Sequence, residues 1–227
     1  MYTLYIGNKN YSSWSLRPWV LMRTLSILFE EQLVLFEPGS SWDKFRGFSR
    51  NGLVPCLHDG DTEVWDSLAI AEYLAERHPG VWPEESTART WARCVTCEMH
   101  SGFNALRNQC PMNCGVRAGL DEIDLSLQAN LDRLDEIWTE GLDRFGGPFL
   151  GGSEFTAVDA FYAPVAFRVQ TFDLPLSTAS RKYAELLLSL PAMRDWYESA
   201  LQEPWREEHH EEEIADAGEV QQDFRQA

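Results

Sequence analysis

MYTLYIGNKNYSSWSLRPWVLMRTLSILFEEQLVLF, residues 1–36, decides the fold. Tyr2–Ile6 is a β-rich run. From Ser15 to Phe29 the spacing is helical, with Leu16, Trp19, Val20, Leu25 and Leu28 apolar. Gln32–Phe36 (QLVLF) is a second β-rich run. Strand, helix, strand in that order implies two parallel strands joined by a right-handed crossover. Between the first strand and the helix stand two adjacent serines, Ser12 and Ser13, where a strand should turn into a helix.

Outward from that unit, a loop rich in Gly, Ser and Trp covers residues 38–53. Val54–His58 and Glu63–Trp65 flank Asp59-Gly60-Asp61 and read as a hairpin. Ser67–His78 is an amphipathic helix stopped by Pro79-Gly80. The first part is therefore β-α-β-β-β-α, with a boundary near residues 79–86. Beyond it no strand pattern remains. Residues 120–138 form a long helix, and residues 91–107 read as continuously helical. Thr156 and Asp159 make a capping box with Asp in place of Glu, and Pro164 falls inside the helix that it opens. Two further helices lie near 179–190 and 192–202. The expected organisation is 1–80, 86–205 and an acidic tail at 206–227.

The net charge of −17 argues against nucleic acid as a partner, since such a surface repels phosphates. No apolar run approaches the ~18–20 residues that a membrane helix needs, so no membrane is expected. The N-terminus carries no basic start followed by an apolar block, so no export signal is read there. From Glu203 to Ala227 nine acidic residues face only Arg206 and Arg225, and this tail is expected to be solvated and partly frayed. The five cysteines, Cys56, Cys94, Cys97, Cys110 and Cys114, are expected to be reduced thiols in a cytoplasmic protein. Cys94, Cys97, His100, Cys110 and Cys114 have the spacing of a zinc ligand set. A continuous helix over most of them leaves no loop to fold around an ion, so no metal is expected.

Ser12 and Ser13 can cap the first helix, and capping leaves room for a second role. Val54-Pro55 opens a strand with a residue that cannot donate to the ladder, which leaves an edge able to pair with a peptide. Asp66-Ser67 starts a helix with outward N–H groups, a place for a carboxylate, and Asp66 adds an acceptor for an ammonium group. In open sheets such ends gather on one side. A small peptide with a free α-amino acid end and a thiol would satisfy all three.

Here the chain resembles the glutathione S-transferase family over roughly residues 2–205. The matching stretches are SSWSLR (12–17), NGLVPCL (51–57), DSLAIAEYL (66–74) and FLGGSEFTAVDAFYAP (149–164). The resemblance implies an α/β thioredoxin-like N-terminal domain followed by an all-α helical bundle. The chain looks most like the serine-type, zeta-like members, whose SGxxxLxN helix motif is similar to residues 101–108. By that resemblance Ser12 contacts the glutathione sulfur, with Ser13 its neighbour and alternative. Val54 pairs with the cysteinyl backbone, Pro55 is cis, and Asp66 and Ser67 hold the γ-glutamyl end. Trp14, His100, Phe103, Arg107 and Arg168 are the candidates for binding an electrophile. Trp14 stands where those members carry cysteine, and Thr171 where they carry a substrate arginine. The implied activity is glutathione-dependent transfer onto a small electrophile, with glutathione as cofactor and a homodimer as the assembly. Glutathione-dependent cis–trans isomerisation and a non-catalytic binding module are the alternatives.

Overall fold

The computed structural model describes residues 1–226. Strand β1 (Tyr2–Ile6) leads into helix α1 (Ser13–Thr24), β2 (Phe29–Leu33) and the short α2 (Trp42–Phe45). Then come β3 (Cys56–Asp59), β4 (Thr62–Trp65) and α3 (Ser67–Ala75). The sheet order is β2-β1-β3-β4, with β1 parallel to β2 and antiparallel to β3. This is the expected strand–helix–strand unit followed by a hairpin and a helix. The first helix stops earlier than its apolar spacing suggests. Ser26 takes a left-handed conformation, φ 56°, and Phe29 pairs with Tyr2, so the second strand starts at Phe29 rather than Gln32. Sheet register here overrides helical periodicity.

The second part holds α4 (Ser86–Ser101), α5 (Asn104–Gln109), β5 (Val116–Ala118), α6 (Leu125–Phe145), α7 (Ala157–Phe172), α8 (Thr178–Ser189) and α9 (Pro191–Gln202). The chain ends in α10 (Glu208–Ala217) and β6 (Val220–Asp223). Helix α7 is the axis: fifteen of its sixteen residues are buried, and α1, α4 and α8 pack against it. One continuous apolar core runs from Leu4 and Leu57 in the sheet through Leu16 and Val20 of α1 to Phe161 and Trp196.

Three expectations need correction. Residues 91–107 are not one helix: Gly102 ends α4 and Phe103, with φ 59°, restarts the chain as α5. Strands do occur after residue 85, because β5 pairs antiparallel with β6. The acidic tail is folded rather than frayed. Ile214 is buried, and Arg225 bridges Glu211 and Asp223, at 2.9 and 2.7 Å from Nη2. One apolar anchor and one well-placed cation hold a segment whose composition reads as solvated.

At the start of α7 the capping box is formed. Asp159 Oδ2 accepts the Thr156 N–H at 2.9 Å, while Oδ1 accepts the Leu150 N–H at 2.9 Å and the Tyr183 hydroxyl at 2.8 Å. One buried carboxylate thus ties the Gly-rich turn before α7 to α8. No helix is long and apolar enough to cross a membrane among the described residues.

Candidate functional site

The N-terminus of α1 lies at the C-terminal end of β1, where the chain leaves the sheet. Ser12 is its N-cap residue; its N–H donates to Asn8 O at 2.8 Å and its carbonyl accepts the Leu16 N–H at 3.1 Å. Ser12 Oγ lies 2.7 Å from Ser15 Oγ, and Ser15 Oγ accepts the Gly7 N–H at 3.2 Å. Ser12 is buried against the protein yet lines a cavity of about 290 Å³ together with Ser13, Trp14, Val54, Arg107 and Arg168. A second cavity of about 340 Å³ shares Trp14 and Val54 and is closed by Pro55, Asp66 and Ser67. The three turns singled out in the sequence therefore meet around two adjoining cavities.

The peptide bond between Val54 and Pro55 is cis. The sheet registers begin at Cys56, which leaves Val54 outside the ladder and facing both cavities. Asp66 has φ 71° and caps α3 by accepting the Leu68 N–H at 2.8 Å. Its carboxylate also meets His100 Nε2, at 2.8 and 2.9 Å. Ser67 is buried, and its Oγ accepts from Arg17 Nη1 at 3.5 Å.

The residues expected to bind an electrophile divide. Trp14, Arg107 and Arg168 line the first cavity. His100 lines neither cavity; it holds Asp66 from α4 and meets Trp14 edge-on, with ring centroids 5.4 Å apart. Phe103 is buried at the break between α4 and α5 and also lines neither. Arg107 donates to Gly102 O and Met99 O, and its guanidinium lies 4.8 Å from the centre of the Trp14 ring. Arg168 donates to Cys110 O at 2.7 Å and Pro164 O at 3.3 Å. Neither arginine forms an ion pair with a carboxylate among the described residues. Burial, with Arg107 next, depresses Arg168 to about 10. Thr171 donates to Asn113 O and is buried, so it holds a loop instead of facing a ligand.

The sequence reading missed the far wall. Tyr11, His210 and Glu213 line the first cavity, the last two delivered by α10. His210 stacks on Tyr11 and on Phe36, with ring centroids 4.9 and 5.1 Å away. Tyr11 donates its hydroxyl to Glu211 Oε1 at 2.6 Å, and burial, with that bond, holds the phenol protonated. Arg17, inside the SSWSLR stretch, is buried behind the second cavity and donates to Ser67 Oγ. The spacing of His210 and Glu213, three apart, was the available signal in the tail; it was hidden in a run of glutamates.

Cys94 and Cys97 are exposed on α4, whereas Cys56, Cys110 and Cys114 are buried. A wider cleft of about 740 Å³ lies at the opposite end of the strands, where β1 starts and β3 stops, between Met1, Leu28 and His78, and no expected site residue lines it.

Residues 11–77 match the description of the glutathione S-transferase N-terminal domain, and residues 115–199 that of the glutathione S-transferase C-terminal domain. A glutathione S-transferase of Arabidopsis thaliana is 27% identical over 163 residues, covering 67% of this chain and 61% of that protein's own length. A probable maleylacetoacetate isomerase of Caenorhabditis elegans is 24% identical over 200 residues, covering 83% of this chain and 89% of the relative. Among solved structures, a glutathione transferase homologue from Burkholderia GL BGR1 with bound glutathione has a TM-score of 0.64 at 20% identity, over 88% of this chain and 97% of that one.

Proposed function

The chain belongs to the glutathione S-transferase family, and from that premise we propose that it is a glutathione-dependent transferase acting on a small anionic electrophile. Glutathione is then a co-substrate consumed in turnover, not a resident cofactor. One observation carries the reading: the Ser12 hydroxyl, the Val54 backbone and the Ser67 turn surround adjoining cavities of a size for a tripeptide and a small partner.

In this reading Val54 pairs with the cysteinyl backbone, and the free N–H groups of α3 with Ser67 take the γ-glutamyl carboxylate. Asp66 attracts the ammonium group. Ser12 stabilises the thiolate. Hydroxyl protons rotate, so Ser15 can accept from Gly7 and donate to Ser12, which turns the Ser12 proton toward the sulfur. Lowering a thiol from about 8.5 by ~2 units needs about 2.7 kcal/mol of preference for the anion. One charge-assisted hydrogen bond supplies about 1.5–3 kcal/mol, and the N-terminus of α1 adds about 0.3–1 kcal/mol. Water takes the proton, since serine is too weak a base. Arg107 and Arg168 then favour an electrophile that carries negative charge.

Arg168 also supports a second reading. It stands about one helical turn before Thr171 and lines the cavity, so a diacid could be held there and isomerised with glutathione recycled. Calorimetric titration with glutathione tests the shared premise; a dissociation constant far above millimolar removes both readings. Turnover with stoichiometric loss of glutathione selects transfer, and turnover without loss selects isomerisation. The active form is a homodimer, which sedimentation of the purified chain checks.

A further inference from the structure

Five side chains able to carry charge line the first cavity: Tyr11, Arg107, Arg168, His210 and Glu213. Imidazole is the one among these types suited to trade a proton near neutral pH. The Tyr11 hydroxyl is committed to Glu211. The two arginines donate to backbone carbonyls and serve as fixed cations. Glu213 faces His209 Nε2 at 3.6 Å and, as a carboxylate, only accepts. The imidazole of His210 is held on all sides but one. Tyr11 and Phe36 stack against its faces, with ring centroids 4.9 and 5.1 Å away. Nδ1 meets Glu207 Oε2 at 2.5 Å, and the same oxygen caps α10 by accepting the His210 N–H at 3.0 Å. Glu207 lines an outer pocket of about 410 Å³ and not the first cavity, whereas His210 lines both. Nδ1 therefore turns outward. Nε2, which forms no hydrogen bond among the described residues, lies on the ring edge left to border the first cavity.

We propose that His210, brought to the site by the C-terminal helix, is the proton donor of the transfer: its Nε2–H protonates the substrate as the glutathione thiolate adds to an activated double bond. The proposal rests on the transferase reading above and deepens it. Displacement of a halide needs no such donor, because the halide leaves with its electron pair. Addition does need one. The thiolate forms an S–C bond at the carbon β to a carbonyl, and the double-bond electrons move to the carbonyl oxygen as an enolate. Protonated His210 gives its Nε2 proton to that oxygen and becomes neutral imidazole; the enol then relaxes to the ketone. Water returns a proton to the ring, balancing the one that the thiol gave up, and nothing is oxidised or reduced. Burial raises the Glu207 carboxyl, but the hydrogen bonds from His210 outweigh it and hold it below its ordinary value, so it accepts from Nδ1 and leaves Nε2 for the substrate. The other charged groups around the ring are Glu211 beyond Tyr11, Glu213 and His209 on its own helix, Glu37 across the outer pocket, and Arg107 and Arg168 in the cavity. Those arginines suit an alkene that carries a carboxylate.

The test uses the full chain, glutathione and two anionic electrophiles. One is trans-3-benzoylacrylate, which takes up thiols across its double bond; the other is 4-chloro-3,5-dinitrobenzoate, which loses chloride. The readout is the ratio of their kcat/KM values, alkene over chloride, from about pH 6 to about pH 9. Thiolate formation is common to both reactions and cancels in the ratio. In the wild type the ratio should fall as pH rises and the imidazolium is lost. His210→Phe keeps a ring between Tyr11 and Phe36; it should lower the ratio about 100-fold at the acid end and make it independent of pH. His210→Gln carries the same expectation should the phenylalanine variant not fold. Glu207→Gln should lower kcat for the alkene without raising its KM, as a positioning residue does. A wild-type ratio that is flat with pH, or a His210 variant within about threefold of the wild type at every pH, overturns the role of His210. A wild type that turns over the chloride and not the alkene overturns this inference alone. One that turns over neither overturns the transferase reading, and this inference with it.

Discussion

Replacing Asp159 by Asn should make the protein less stable, and more so at pH 5 than at pH 8. The carboxylate is fully buried and accepts four hydrogen bonds, from the Leu150 and Thr156 N–H groups and the Thr156 and Tyr183 hydroxyls. An amide has one acceptor oxygen. If that oxygen takes the place shared by Leu150 and Tyr183, the amide nitrogen faces the Thr156 N–H and leaves it unpaired. An orphaned buried donor costs about 1–3 kcal/mol. The pH dependence follows from titration. Burial pushes the Asp159 carboxyl up to about 6 in the folded chain, against the lowering effect of its hydrogen bonds. The unfolded chain has an ordinary value near 3.9. Between those values the folded state holds a proton that the unfolded state does not, so wild-type stability rises as pH falls through 6. From pH 8 to pH 5 the gain is about 1.4 kcal/mol. Asn does not titrate, so the stability gap between the two proteins should widen by that amount. Urea unfolding of both proteins at both pH values measures it, and the titrations of all other groups cancel in the difference. A gap that is constant, or that narrows toward pH 5, would refute the account of this carboxylate.

Ser12→Ala should raise the pKa of the bound glutathione thiol by about 1–2 units, read from thiolate absorbance, because one charge-assisted hydrogen bond is lost. Ser13→Ala should shift it less; the reverse order would hand the role to Ser13. Glu211→Ala should free Tyr11 and Arg225, raise hydrogen exchange across residues 207–226, and weaken KM for the second substrate by roughly tenfold with glutathione affinity unchanged. Unchanged exchange would show that Glu211 does not anchor the tail. Alkylation of the native protein at neutral pH should modify Cys94 and Cys97 alone. Burial raises Cys56 to about 11 and Cys110 to about 12, and pushes Cys114 higher still. A native adduct on Cys110 or Cys114 in the mass spectrum would contradict that burial.

The βαβ unit and the long helices were legible because each has a local signature: alternation, helical spacing, caps and a proline at a strand start. The capping box of Thr156 and Asp159 is readable from four residues. The end of α1 was not, since Tyr2 and Phe29 decide it together and lie far apart in sequence. The break at Gly102 and Phe103 was masked by residues that suit a helix on both sides. The site was half legible. Its turns sit at fixed places after strands, so Ser12, Val54, Pro55, Asp66 and Ser67 could be named. The tail could not be placed, because nothing in EEHHEEE tells that His210 stacks on Tyr11 and Phe36 while Ile214 enters the core.

The electrostatics of the site follow the same division between local and distant. A chain of net charge −17 should repel the anionic peptide that it is proposed to bind. Most of those acidic groups are solvated, and at physiological salt their fields fade within about 8 Å. Arg17 and Arg168 are buried and Arg107 half-buried, in surroundings where water and ions screen poorly. Within the two cavities, therefore, three nearby cations outweigh a larger number of distant carboxylates. Two carboxylates are exceptions: Asp66 closes the second cavity, and Glu213, brought by helix α10, lines the first together with Arg168 and trims its positive charge. Under the proposed function, selectivity for the second substrate would be set by a balance between two arginines from the bundle and one glutamate from the tail. That balance gives the acidic C-terminus a reason to fold back over the site.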